Sequence, residues 1–454
     1  MLKEKIQTLM KSQMLRNVTK ISSGTILGQA ISIVTLPIFT RLYGATVIGY
    51  WTLFTSVAVI VNAFSDLGLS NAIMMDDEGE QSEKLFSVIT TISFIISLIV
   101  GVGYFVIKSV TPDPSGLHPL FYSIVLFVLI FTQQQVNVCY NWLNKKKQYN
   151  ILMKNPIINN VSVAVIAIPL GLMGFTKYGY YIGLVLGQVF TLFHMRRYLP
   201  RIFFDFKFRD HFDVIRSHLT YVKFQMPTYL VAQVKNQAPV FFIRSFFGVE
   251  ILGYYSVCMR VLNIPVNLLA SSIGKVYYQT AAEMKKKGQE VGDFTFRNIK
   301  RAMYVAIAPM VVIMSFGDIV CTLFLGNDYV ITGNLSRIIV FMTFFQFLMM
   351  ATQGITIVLE KQQYALISGI VQIIGYVVGL SIGKYVFSSL YIAVALMTVV
   401  FCVIQIIYFS KLFKIAGVSV TLYLKHVFST LGLIIVITAV IRITLIALNI
   451  VPNL

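Results

Sequence analysis

Charge is scarce in this chain, and acid scarcer than base. Only 12% of its 454 residues are charged, with 18 Asp and Glu against 37 Lys and Arg. A soluble protein carries about twice that charged fraction, so a string of globular domains is excluded. Cysteine is equally sparse. Cys139, Cys258, Cys321 and Cys402 are widely spaced in apolar stretches without a CxxC pair, which excludes a disulfide framework or a thiolate metal site. His118, His194, His211, His218 and His426 share no ligand spacing, and no Walker A string occurs. Neither a metal, nor ATP, nor any other cofactor is therefore expected. Long hydrophilic loops are missing too: the segment Ser109–His118, with its Thr-Pro-Asp-Pro, is a turn-rich connector rather than a domain.

What the chain does have is apolar length. Hydrophobic residues make up 57% of it, and mean hydropathy is +0.77. Solid apolar runs of about 20 residues, each enough to cross the hydrocarbon as a helix, recur from end to end. A β-barrel would show short alternating segments instead. Thirteen spans are expected, at 18–40, 48–74, 84–108, 117–141, 151–173, 178–197, 218–247, 251–280, 298–324, 334–358, 363–384, 386–410 and 424–448. The net charge of +19 does not point to nucleic acid, because the basic residues sit at the edges of spans. With the N-terminus in the cytoplasm, 26 Lys and Arg fall on the cytoplasmic side and four on the other, the bias that sets membrane orientation. The basic segment Met1–Lys20 has no cleavable signal, and the first span is expected to serve as the targeting signal.

The two halves echo each other. FTRLYGATVIGYWTLF after the first span resembles FIRSFFGVEILGYYSV after the seventh. Gly44, Gly49 and Tyr50 correspond to Gly248, Gly253 and Tyr254 at a constant displacement of 204, and Gln29 falls on Gln233. Six helices separate the copies, an even number, so they share an orientation. The expected fold is all-α: a polytopic membrane protein with two six-helix bundles as parallel repeats around a central cavity, plus one C-terminal helix. Its expected parts are an N-terminal lobe over 1–200, a cytoplasmic linker over 201–217, a second lobe over 218–412 and an additional helix within 413–454.

The seventh and eighth spans carry charge where charge is expensive. Lys223, Lys235, Arg260 and Lys275 lie within them, with Arg244 near the turn, and an ionisable residue at that depth is a functional candidate by default. Arg260, Asn263, Asn267, Ser271 and Lys275 follow at steps of three, four, four and four, which places them on one face of a helix. Cations separated by amides and a hydroxyl suit a phosphate-bearing, hydroxyl-rich ligand. Lys223 and Lys275, nearer the span ends, have the alternative of snorkelling to the interface. Arg244, Arg337 and Arg442 read as interfacial anchors. Polar faces without cations recur at Ser22, Thr25, Gln29 and Ser32, at Thr55, Asn62, Asp66 and Ser70, and at Gln134, Asn137 and Asn141. These suit sugar hydroxyls, or else interhelical hydrogen bonds that hold a bundle together. Pro37, Pro156, Pro169, Pro227, Pro239, Pro265 and Pro309 lie in or at the ends of spans, where they bend helices with or without a gating role. Asp76-Asp77-Glu78 reads as a solvated acidic connector, not a metal-dependent transferase motif.

SSGTILGQAISIVTLPIFTRLYGATVIGYW resembles the opening of the polysaccharide-biosynthesis flippases (Wzx-type) of the multidrug/oligosaccharidyl-lipid/polysaccharide exporter superfamily. KFQMPTYLVAQVKNQAPVFFIRSFFGVEILGYYSVCMRVLNIPVNLLASSIGKVYYQ resembles that family's seventh and eighth helices. The resemblance implies a non-enzymatic flippase in the bacterial inner membrane. Its substrate would be an undecaprenyl-diphosphate-linked oligosaccharide for O-antigen, capsule or exopolysaccharide, moved by alternating access of two lobes. The lipid tail would stay among membrane lipids while Arg260 and Lys235 capture the diphosphate. A coupling ion, H+ or Na+, and a polysaccharide polymerase are open as partners. The alternatives are a multidrug extruder of the same superfamily, disfavoured because a cationic wall repels organic cations, and a membrane polymerase or ligase, disfavoured because outer loops are short. Such proteins commonly have twelve or fourteen helices, and the expected thirteenth departs from that pattern.

Overall fold

The computed structural model describes residues 13–74, 80–111, 116–200, 204 and 208–448. The acidic run Asp76-Asp77-Glu78, the first twelve residues and most of Thr-Pro-Asp-Pro lie outside these. Among the described residues the chain is helical throughout, without a strand. Ten helices among the described residues are long and apolar enough to cross a membrane, so this is a multi-pass membrane protein. The sequence count of thirteen differs because α1 (Gln13–Asn62) runs as one element through Gly44, and because the helices α5 (Gly179–Arg196) and α7 (Met226–Phe247) are more polar than those ten. The second expected span also stops short. Its helix ends at Asn62, and a 3-10 turn covers Leu69–Met74.

The chain forms two compact units, Met1–Gln237 and Ala238–Leu454. Their boundary lies inside α7 (Met226–Phe247), twenty residues beyond the segment 201–217 read as a linker. Part of that segment is itself the short helix α6, Phe208–Ser217.

The first unit holds α1, α2 (Glu80–Val110), α3 (Pro119–Lys145), α4 (Tyr149–Leu172), α5 (Gly179–Arg196) and α6. Lipid tails are as apolar as leucine, so such helices associate by close packing of small residues and by hydrogen bonds. A Cβ on Gly24 of α1 would stand 1.9 Å from the Met153 carbonyl oxygen of α4, so only glycine permits that approach. At one end, Trp51 meets Tyr180 and Tyr181 edge to face, Tyr181 meets Phe54 and Tyr122 edge to face, and Phe54 stacks on Tyr122, while the Tyr43 hydroxyl donates to the Ala167 carbonyl at 2.5 Å.

The second unit holds most of α7's last turns, α8 (Val249–Pro265), α9 (Ser271–Lys286), α10 (Gly292–Leu325), α11 (Val330–Ala351), α12 (Gln362–Tyr385), α13 (Leu390–Ile415) and α14 (Val420–Ala447). Gly248 has φ 89° and ψ 173°, while its sequence counterpart Gly44 has φ 71° and ψ 172°. This corner of backbone space is essentially reserved for glycine. The two copies of the repeat therefore make the same turn for the same steric reason.

Arg442 corrects the expectation of an interfacial anchor. It is 6% exposed on α14. Its guanidinium donates to the Ser315 carbonyl at 3.1 Å, to Asp318 Oδ1 at 3.0 Å and also to Asp318 Oδ2. Arg337 stands 4.0 Å from the same carboxylate. The arginine is buried because an acid and a carbonyl on α10 are there to receive it. The C-terminal helix is thereby fastened to α10.

Candidate functional site

The first unit contains a polar hollow of about 280 Å³, built where α1 ends. Past Asn62 the chain enters a tight turn in which Leu67 and Gly68 both adopt left-handed backbone, with φ 54° and 76°. Asp66 holds that turn. Its carboxylate accepts the Gly68 N–H at 2.9 Å and the Ser70 N–H at 3.1 Å, the side-chain-to-backbone pattern by which Asp favours turns and helix starts. The 3-10 turn that follows puts Ser70 against α3. There Gln134 donates to the Ser70 hydroxyl at 3.1 Å and Asn141 to its carbonyl at 3.0 Å. From the other side, Asn62 donates to Gln133 Oε1 at 3.1 Å.

The third side comes from the start of α7. Residues Tyr221–Gln225 form a π turn, in which the Met226 N–H reaches back to the Tyr221 carbonyl. The turn precedes Pro227, whose missing N–H and bulky ring disfavour an ordinary helical continuation. Gly68 lies against this π turn. A Cβ there would stand 3.2 Å from the Met226 nitrogen and 3.3 Å from the Tyr221 oxygen. Gln225 and Tyr229 then face the hollow. Besides Val59 and Gly68, its wall is made of amides, hydroxyls and one carboxylate already committed to backbone N–H groups. Such a surface offers donors and acceptors together without a fixed charge pair, which suits a polyol.

The residues singled out from sequence divide into groups. Asp66 and Asn137 line this hollow with Asn62, Ser70 and Gln134, so the polar faces of the second and fourth spans meet. Asp66 does so as the clamp of the turn, since both its oxygens already accept hydrogen bonds. Gln29 lies elsewhere on α1, half-buried, and its side-chain oxygen has no partner among the described residues. Lys223 is exposed within the π turn, and Lys235 is half-buried in the middle of α7. Both belong to the first unit.

Arg260, Asn263, Asn267 and Lys275 belong to the second unit. The single helix expected for them is in fact α8 and α9 joined by a π turn at Val266–Ala270. The difference has a physical consequence. Four residues of ordinary α-helix overshoot a full circle by about 40°, so steps of four drift around the axis. A π turn winds less per residue and offsets that drift, and such turns recur at functional sites. Leu262, Val266, Ala270 and Gly274 form the buried row. Arg260 and Asn263 are half-buried, while Asn267 and Lys275 are exposed.

Sequence reasoning passed over Asn71, Gln133, Gln225 and Tyr229. Gln133 stands in the run Gln133-Gln134-Gln135, three amides in the middle of an apolar span. That run was the available signal. Gln225 and Tyr229 gave none, because only the π turn aims them inward.

Comparison with known proteins agrees with this architecture. A family model described as "Polysaccharide biosynthesis protein" matches residues 13–332. The chain is 22% identical over 275 residues to the teichuronic acid biosynthesis protein TuaB of Bacillus subtilis (strain 168), covering 58% of this chain and 54% of that protein. It is 23% identical over 269 residues to the succinoglycan biosynthesis transport protein ExoT of Rhizobium meliloti (strain 1021), covering 56% of this chain and 51% of that protein. The chain thus spans about half the length of the curated relatives it matches. Among solved structures, the lipid II flippase MurJ in an inward closed conformation shares the fold with a TM-score of 0.71 at 14% identity, over 96% of this chain and 98% of that one. With the family model matching well over half of its length, the chain belongs to the polysaccharide biosynthesis protein family and has the fold of a polytopic membrane transporter.

Proposed function

We propose that this protein is a flippase that carries an undecaprenyl-diphosphate-linked oligosaccharide across the bacterial inner membrane, by alternating access and without chemical conversion of its cargo. The observation that carries the reading is the amide-lined hollow at the end of α1, whose neutral donors and acceptors match sugar hydroxyls. Lys235 on α7 and Arg260 on α8, both half-buried, are assigned to the diphosphate. The arginine would act as a bidentate fork and the lysine as a point charge. The 26-to-four bias of basic residues supports a cytoplasmic N-terminus, so that the hollow, near the end of α1, opens toward the side where the lipid-linked sugar is made. Supporting context comes from a relative named for succinoglycan transport and a fold neighbour named as a lipid II flippase.

The test is reconstitution in liposomes with a fluorescent lipid-diphosphate oligosaccharide. Wild type should move it between leaflets. Arg260→Ala and Lys235→Ala should each slow transport about tenfold, the loss expected for one charge-assisted hydrogen bond. Wild-type rates in both variants would remove the diphosphate assignment, and no wild-type transport would remove the function.

A further inference from the structure

Three ionisable side chains meet near the ends of α10, α11 and α14, and their charges do not balance. Asp318 on α10 is fully engaged. Its Oδ1 accepts the Ile319 N–H at 3.0 Å and one Arg442 nitrogen at 3.0 Å, while its Oδ2 accepts a second Arg442 nitrogen. Arg337 on α11 comes only to 4.0 Å from that Oδ2, beyond hydrogen-bond range. Its fork of donors makes no hydrogen bond to any described residue. Two guanidinium groups thus share one carboxylate, and the surplus is one positive charge. The Arg442 side chain is 7% exposed and that of Arg337 24%, so the surplus cation is the one that the surroundings can reach.

Arg337 stands seven positions after Val330, the start of α11, about 10 Å along the axis. On the orientation that the charge bias supports, this is the outer end of the helix. A long cationic side chain at that depth snorkels toward the headgroups. A charge left unanswered there is costly, so water or a headgroup has to meet it. The same three helices expose Leu323, Val330 and Ile443 near these ends, apolar side chains suited to acyl chains. We infer that Arg337 binds the phosphate of a lipid headgroup in the outer leaflet. A guanidinium fits a phosphate in bidentate geometry, and one surplus positive charge matches the single negative charge of a phosphodiester. The contact lies in the second unit and does not depend on the flippase reading.

The test uses the full chain in a neutral detergent, titrated in turn with phosphatidylglycerol, undecaprenyl phosphate and a phosphate-free glucosyl diacylglycerol, with bound lipid counted by native mass spectrometry. Wild type should retain a copy of phosphate lipid that Arg337→Gln binds about tenfold more weakly, the scale of one charge-assisted hydrogen bond. Retention of the glycolipid should be the same in both. Arg337→Lys should fall between them, because the charge survives and the fork does not, and it carries the comparison should the glutamine variant fold poorly. Whichever phosphate lipid shows the larger difference names the source, bulk membrane or polyprenyl carrier. Identical retention of both phosphate lipids by wild type and the two variants overturns the inference and leaves water as the partner of Arg337. Inorganic phosphate displacing the extra lipid at equal concentration overturns it in favour of a free anion.

Discussion

Two acids lie deep in the apolar chain, and the two units treat them oppositely. Asp66 in the first unit satisfies both oxygens with backbone N–H groups of its own turn. Asp318 in the second receives the buried Arg442 and faces Arg337. The first carboxylate shapes a turn whose neighbouring amides line a hollow; the second fastens α14 to α10. A buried charge is thus not in itself a sign of a binding site. What distinguishes the two is which group answers the charge: a backbone turn that leaves neighbouring side chains available, or a side chain that consumes the site.

Substitutions break the comparison in order of size. Asp318→Asn leaves the Arg442 guanidinium buried without its counter-charge and should lower unfolding stability in detergent by about 3–5 kcal/mol. Replacing both residues by leucine should recover most of that loss. Asp66→Asn keeps one carbonyl oxygen to accept an N–H and should cost only about 1 kcal/mol. Equal losses at the two acids would erase the distinction. Next come the repeat glycines. Gly44→Val and Gly248→Val should each cost about 1–3 kcal/mol, and by similar amounts, because their backbones agree to within a few degrees of ψ. Thermal unfolding of the pair checks this. A large loss at one and none at the other would mean that the shared turn matters in only one unit. The smallest effect belongs to the exposed cations: Lys223→Gln and Lys275→Gln should change stability by no more than about 0.5 kcal/mol. A larger loss would show a structural role that their exposure does not suggest.

Much of this was legible in the sequence because the membrane restricts what a chain can do. Twenty apolar residues have little choice but to be helical, and two Gly-Tyr turns at a fixed displacement mark a repeat. Amides at three- and four-residue steps on the second and fourth spans identified the faces that meet at Ser70. The failures have a common physical origin. The second expected span stops at Asn62 because an acid can clamp a turn inside an apolar stretch, which hydropathy averages away. The single helix expected at Arg260–Lys275 contains a π turn, whose one-residue change in hydrogen bonding leaves no trace in composition. From sequence alone Arg442 reads as an anchor, because its partner, Asp318, lies 124 residues away. Gln225 and Tyr229 depend on a local winding that only coordinates reveal.

The proposed division of labour between an amide-lined sugar hollow and cationic phosphate contacts is tested most directly by one reconstituted comparison. Translocation of the lipid-diphosphate oligosaccharide is measured beside that of the same lipid diphosphate without sugar, for wild type, Gln133→Leu and Arg260→Ala. Gln133→Leu should slow the sugar-bearing lipid about tenfold, the worth of roughly one buried hydrogen bond, and leave the sugarless lipid unchanged, whereas Arg260→Ala should slow both. Equal slowing of both lipids by Gln133→Leu, or no effect on either, would contradict the account.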